Sequence, residues 1–151
     1  MDFASSQTLI CSVGGLLCSL PVAGVVETFR PLPVERVAGA PEFMLGLAMV
    51  RGEPVPVVDL SRLLNGHAGN PTRFVLVKAD ERRVVLAVDG VVGIRAIEAE
   101  QMRSMPPLLR DADTGVVSAV GTLDSALFLM LQAAHIVPED FFDEAARRLA
   151  S

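Results

Sequence analysis

Short aliphatic runs, each about strand length and each closed by a turn signal, recur along the whole chain. The clearest case is Gly46–Leu60. It holds an apolar strand, an Arg51-Gly52 turn, a second apolar strand ending at Val58, and Asp59, which is placed to cap a short helix over Leu60–Leu64. Thr8–Val13 and Leu16–Leu20 flank Gly14-Gly15 and predict another hairpin, with Leu9, Cys11, Cys18 and Leu20 on one face. Counting outward from that turn sets Cys11 opposite Cys18 in a hydrogen-bonded pair.

The remaining pattern fills in around these two hairpins. Pro21 suits the first turn of a short helix, Val22–Thr28, with Val22, Val25 and Val26 at helical spacing and Glu27 near its end. Pro31 and Pro33 make Phe29–Glu35 an extended edge or linker. Gly39–Glu42 reads as a turn and Asn65–Pro71 as an exposed loop. Arg73–Ala79 and Arg82–Val88 pair about Asp80-Glu81, and Asp89-Gly90 predicts a further hairpin into Val91–Arg95. Ile97–Pro107 is irregular, with one helical turn expected at Ala99–Met102. Thr114–Thr122 and Ala126–Leu131 pair about Asp124-Ser125. A short helix at Ala133–Val137 and an amphipathic one at Glu139–Ala150 close the chain, the latter with Phe141, Phe142, Ala145 and Leu149 on one face. So many short strands with only brief helices predict an all-β barrel or sandwich in a single domain of 151 residues.

Composition sharpens this picture in three places. Hydrophobic residues make up 51% but aromatics only 5%, with no Trp or Tyr, so the core must be aliphatic. Twelve Arg and one Lys are scattered, and the net charge is −5, which argues against nucleic acid as a partner. Phe3–Val26 carries no charge, yet Ser, Thr, Gln, Gly and Pro interrupt it and no Lys or Arg precedes Arg30. The expectation is a pair of strands in a cytosolic protein, without a signal peptide or membrane insertion. Their register leaves a Cys11–Cys18 disulfide within reach, but a reducing cytosol disfavours it, and the two are expected as thiols packed like small hydrophobes.

Groups suited to catalysis are sparse. His67 sits in a Gly/Asn loop and His135 in an apolar stretch, and a lone His is more often structural or solvated than chemical. Asp111 and Asp113 lack a third ligand at suitable spacing. Gly14-Gly15 and Gly90–Gly93 belong to hairpins and strands, and neither opens a helix as a phosphate loop must. The expectation is a protein that binds, with no enzymatic activity and no cofactor or metal.

These residues together resemble the CheW-like coupling proteins of bacterial chemotaxis. The resemblance rests on Arg51-Gly52 and Pro56–Leu60 within Gly46–Leu60, the Gly14-Gly15 hairpin, and Val22–Glu27 with its acidic end. Ala40-Pro41 before Phe43, Asp89-Gly90-Val91, and Glu98–Pro107 extend it along nearly the whole chain. It implies two small five-stranded SH3-like β-barrels packed on a common hydrophobic core, with a C-terminal helix. It also implies a non-enzymatic adaptor joining a chemoreceptor cytoplasmic tip to the regulatory domain of a CheA-type histidine kinase, at arrays on the inner membrane. Arg51 matches the family's receptor-contacting Arg and Glu27 an acidic groove residue, with Val25, Thr28, Phe74 and Val75 as further receptor-binding positions. The kinase-binding residues stay unassigned. Met49 stands where the family often has Asn, Cys18 where it often has Tyr, and Ala133–Val137 matches poorly. Related coupling proteins serve pilus-motility and biofilm arrays. A rival from another class, a barrel binding a small molecule, would need a concave pocket with convergent polar groups.

Arg51 is the residue the sequence leaves open. At the end of an apolar strand it either pairs internally, with Glu27 or Asp59, or is offered to a partner.

Overall fold

The computed structural model describes residues 5–79, 81–98, 102–104, 117–123 and 126–131. In chain order the elements are β1 (Ser5–Val13), β2 (Leu16–Pro21), a 3-10 turn (Val22–Gly24), β3 (Val25–Phe29), β4 (Met44–Val50) and β5 (Glu53–Asp59). There follow α1 (Leu60–Asn65), β6 (Arg73–Ala79), β7 (Arg82–Val88), β8 (Gly90–Glu98), β9 (Met102–Ser104), β10 (Val117–Leu123) and β11 (Ala126–Leu131).

The strands form two sheets, ordered β8-β1-β2-β11-β10-β9 and β3-β6-β7-β5-β4. The second is the expected five-stranded unit; the first gains a sixth strand in the three-residue β9. Each sheet joins its antiparallel hairpins through one parallel pair, β11 on β2 and β5 on β7. The five-stranded sheet is built from one continuous stretch, 25–88, whereas the six-stranded sheet takes β1 and β2 from before it and β8 to β11 from after it.

The five-stranded sheet curls until its ends meet. Beyond β3 the chain runs back over β4, where Glu35 and Leu47 exchange both backbone hydrogen bonds at 2.8 Å. Gly46 lies at a bulge in β4 with φ +145°, and a Cβ there would collide with the Glu35 carbonyl oxygen. Glycine is what lets the strand ends close.

Alternation along the central strands explains why their sequence reads as unbroken apolar runs. On β7, Val84, Leu86 and Val88 face a cluster shared with Leu9, Cys11, Val13, Cys18, Leu20 and Leu131 of the other sheet. Val85 and Ala87 face the opposite way, into the barrel interior with Val57, Phe74 and Leu76. On β6, Val75 and Val77 join the first cluster while Phe74 and Leu76 join the second. Both faces of these strands are therefore buried, as in a sheet covered on two sides. Fully burying each Val or Leu is worth about 1.5–3 kcal/mol, so the shared cluster dominates the cohesion of the two sheets.

Three expectations need correction. Val22–Thr28 is not a helix: only Val22–Gly24 turn, and Val25–Phe29 is a strand against β6. The β-branched and aromatic run Val25, Val26, Thr28 and Phe29 favours extended chain, and β6 offers it a free edge. Asp89-Gly90 is not a hairpin turn, because β8 leaves β7 and pairs with β1 in the other sheet. Asp89 alone links the two strands, leaving no two-residue loop. Its backbone N–H donates to the Ser12 carbonyl, and its carboxylate accepts from the N–H groups of Gly14 at 2.8 Å and Asn70 at 3.1 Å. Met102, placed in a helical turn by the sequence, is in β9, where it pairs with Gly121. The helices expected at Ala133–Val137 and Glu139–Ala150 lie outside the described residues.

The other elements match. Cys11 lies opposite Cys18, and both thiols are free and fully buried. Asp59 caps α1, accepting from the N–H groups of Ser61 at 3.1 Å and Arg62 at 3.4 Å, and Gly66 closes the helix in the left-handed region. No helix among the described residues is long and apolar enough to cross a membrane.

Two outcomes follow from this packing. Gly46→Ala should lower the urea unfolding free energy by on the order of 2 kcal/mol, since the added methyl forces β4 off the Glu35 segment. Burial pushes both cysteine thiols up to about 12. The native protein should therefore react negligibly with a thiol reagent at neutral pH, and the unfolded protein should titrate both thiols; finding none after unfolding would mean a disulfide.

Candidate partner-binding site

The β4–β5 hairpin ends in a two-residue turn, with Val50 opposite Glu53. Both turn residues have positive φ, Arg51 at 52° and Gly52 at 83°, the signature of a type I′ turn. The β1–β2 hairpin makes the same turn with Gly14 at 55° and Gly15 at 83°. Arg51 thus occupies a backbone position where the other hairpin has glycine, and among the described residues it alone is a non-glycine with positive φ. A long side chain held in that region is a local strain, of the kind that accumulates where a side chain must be presented in a fixed direction.

Arg51 lies at the turn that ends the apolar strand, and its side chain is 71% exposed. The turn carries it past the strand end and out over β3. There it meets Glu27 in a two-point contact, Nε donating to Oε2 at 2.7 Å and Nη2 to Oε1 at 3.1 Å. Of the two internal partners left open by the sequence, the structure selects Glu27. Asp59 sits at the far end of β5 and is used up in backbone contacts, taking the N–H groups of Ser61, Arg62 and Gly69.

The pair shifts both groups toward their charged forms. The hydrogen bonds from Arg51 hold the Glu27 carboxyl below the usual Glu value, with the positive charges of Arg51 and Arg83 adding to the effect against partial desolvation. The same bond makes Arg51 still harder to deprotonate. An exposed pair of this kind contributes little to stability, so its geometry orients side chains more than it holds the fold.

The other carried-over positions separate into two groups. Val25 and Thr28 lie on β3 beside Glu27, both half-buried, Val25 packing on the shared core. Phe74 and Val75 are core residues, 2% and 0% exposed, Phe74 edge-on to Phe29 at 6.1 Å. They lie on β6 beside β3, their side chains on opposite faces of the sheet in the two buried clusters, where neither can reach a partner. The surface flanking the ion pair instead includes Met49, 62% exposed and two residues before Arg51, and Val26, 45% exposed at the bulge beside Glu27. The sequence placed Val26 on a helical apolar stripe and not at the site. Its signal was the Val25-Val26 doublet, which in a strand cannot place both side chains inward.

A family model described as the CheW-like domain matches residues 7–141. The chain belongs to that family. Chemotaxis protein CheW of Klebsiella aerogenes is 26% identical over 143 residues, covering 92% of this chain and 86% of that one. Protein FrzA of Myxococcus xanthus is 32% identical over 127 residues, 79% of each chain. The crystal structure of the scaffolding protein TtCheW from Thermoanaerobacter tengcongensis superimposes with a TM-score of 0.77 at 20% identity, over 87% of this chain and 91% of that one. The last comparison establishes that this CheW-like chain shares the fold of two SH3-like β units.

The Arg51–Glu27 contact is testable by titration. Because the folded value of Glu27 is lowered, any stability the pair adds is present above the unfolded value and is lost as pH falls through the lower, folded one. Carbon-detected NMR should show the Glu27 midpoint below the ordinary Glu value in the native protein and returned toward it in Arg51→Ala. An unchanged midpoint in the variant would remove Arg51 as the cause.

Proposed function

We propose that this CheW-like protein joins a chemoreceptor cytoplasmic tip to the regulatory domain of a CheA-type histidine kinase in the cytoplasm, with the Arg51 end of the five-stranded barrel as the receptor-facing surface. Family membership carries the coarser statement, a chemotaxis coupling adaptor that acts as a scaffold and not as an enzyme.

One observation supports the receptor-facing assignment above the rest: Arg51 is exposed, yet held in direction by a strained turn and by Glu27. A charge fixed in this way, beside exposed Met49 and Val26, suits a helix whose apolar stripe is bordered by a polar side chain. Val25 and Thr28 complete the surface along β3, while Phe74 and Val75 keep that strand in place. Such a small, partly polar contact binds modestly and gains strength by repetition in an array. Signal would pass as a shift in kinase populations, with the adaptor as a rigid link. The barrel interior speaks against the small-molecule reading, since Val57, Phe74, Leu76 and Val85 pack together inside it.

Arg51→Glu puts two carboxylates in contact at the turn. It should abolish co-sedimentation with receptor-containing membranes, while the thermal midpoint moves by no more than a few degrees, because the lost pair is exposed. A large fall in the midpoint would make the pair a structural element instead. Pull-down with the native protein from its own cytosol would then name the pathway, whether swimming, pilus motility or biofilm signalling, by the kinase and receptors recovered.

A further inference from the structure

β5 carries Arg51's turn at one end and Asp59 at the other, about 20 Å away for a strand of this length. At the Asp59 end lies a cavity of about 500 Å³. One of its walls is the 36–45 connector, tied down by backbone hydrogen bonds from Ala40 to Val37, from Met44 to Pro41 and from Asp59 to Phe43. The other wall is α1 with the loop after it. That loop is exposed, but Asn65 accepts the N–H of His67, Asp59 that of Gly69 and Asp89 that of Asn70. Gly69 sits so close to both aspartates that an added Cβ would lie 3.0 Å from one carboxylate and 3.2 Å from the other. Walls fixed in this way need little ordering when something binds between them.

The lining is amphipathic. Met44 and Leu45 supply apolar surface, and Arg36 and Arg62 bring two guanidinium groups. Asp59 also borders the cavity, but both of its oxygens already accept backbone N–H groups. The remaining acid, Glu42, is 90% exposed and reaches Arg62 only at 3.5 Å, long for a charge-assisted contact. Arg36 makes no ion pair among the described residues. Of the two guanidinium groups on this lining, Arg62 therefore has one loosely held carboxylate and Arg36 has no ion-pair partner among the described residues.

We propose that this cleft is a second docking site, taking a partner segment that presents a carboxylate beside an aliphatic side chain. The incoming carboxylate replaces Glu42 on Arg62 and engages Arg36, while the aliphatic group packs on Met44 and Leu45. The barrel then has two binding ends, one at each end of β5.

The test uses the full chain and a short synthetic peptide alternating Glu and Leu, with a Lys–Leu counterpart. The Glu–Leu peptide should move the methyl signals of Met44, Leu45 and Ala68, and its affinity should fall roughly tenfold in the Arg36→Ala/Arg62→Ala double variant. Glu42→Gln removes the competing carboxylate and should tighten binding, a gain that no folding defect can imitate. Equal shifts with the Lys–Leu peptide, shifts confined to other parts of the surface, or no tightening in Glu42→Gln would overturn the proposal. Arg51→Glu should leave peptide binding intact, so this site and the receptor-facing surface stand or fall separately.

Discussion

Two sheets without a single Trp or Tyr have to cohere through close packing of small aliphatic side chains. The chain meets that constraint by burying β6 and β7 on both faces, so that each strand serves two cores at once. Odd and even positions of β7 divide cleanly between the inter-sheet cluster and the barrel interior, and everything else is hung from that division. A polar residue at any of Val84 to Val88 would break one core or the other. The hydrogen bonds around Asp89 are worth about 1 kcal/mol each, well below the combined burial of the shared cluster. They fix where loops and hairpin tips sit on a body already held together by packing.

That hierarchy accounts for the character of the surface around Arg51 and Glu27. A rigid body needs few specialised residues to present a charge. Here the presentation is accomplished by a backbone conformation that glycine would adopt more comfortably and by one carboxylate on a neighbouring strand. Arg51 and Glu27 are exposed enough to exchange partners, while the buried Phe74 and Val75 on the neighbouring strand are not. Direction comes from the fold, and chemistry from a pair of side chains.

Much of this was legible in the sequence, for identifiable reasons. Turn glycines and strand alternation located the β1–β2 and β4–β5 hairpins, the Cys11–Cys18 register and the Asp59 cap, because each depends on a local rule. The failures came where tertiary context outweighed a local preference. Val22–Val26 has apolar residues at helical spacing, yet an open edge on β6 draws Val25–Phe29 into a strand. Asp89-Gly90 carries a strong hairpin signal, but the chain uses it to change sheets, and sequence spacing does not say which sheet a strand will join. The sequence placed Arg51 in a turn but left its partner open between Glu27, Asp59 and another molecule. The approach of Glu27 spans 24 positions, a distance over which spacing alone has no say.

The arrangement of the chain between the two sheets bears on how the protein is made. The five-stranded sheet draws on 25–88 without interruption, whereas β1 pairs with β8, Ser5 opposite Glu98, and β2 lies beside β11, Leu17 opposite Phe128. During synthesis β1 and β2 precede their second partners by a long stretch, β1 waiting for β8 and β2 for β11. They must wait, apolar and uncharged, until more than half of the chain has followed. The inserted barrel can close in the meantime, and its outward-facing valines and leucines then form the surface on which the waiting hairpin and the late strands assemble.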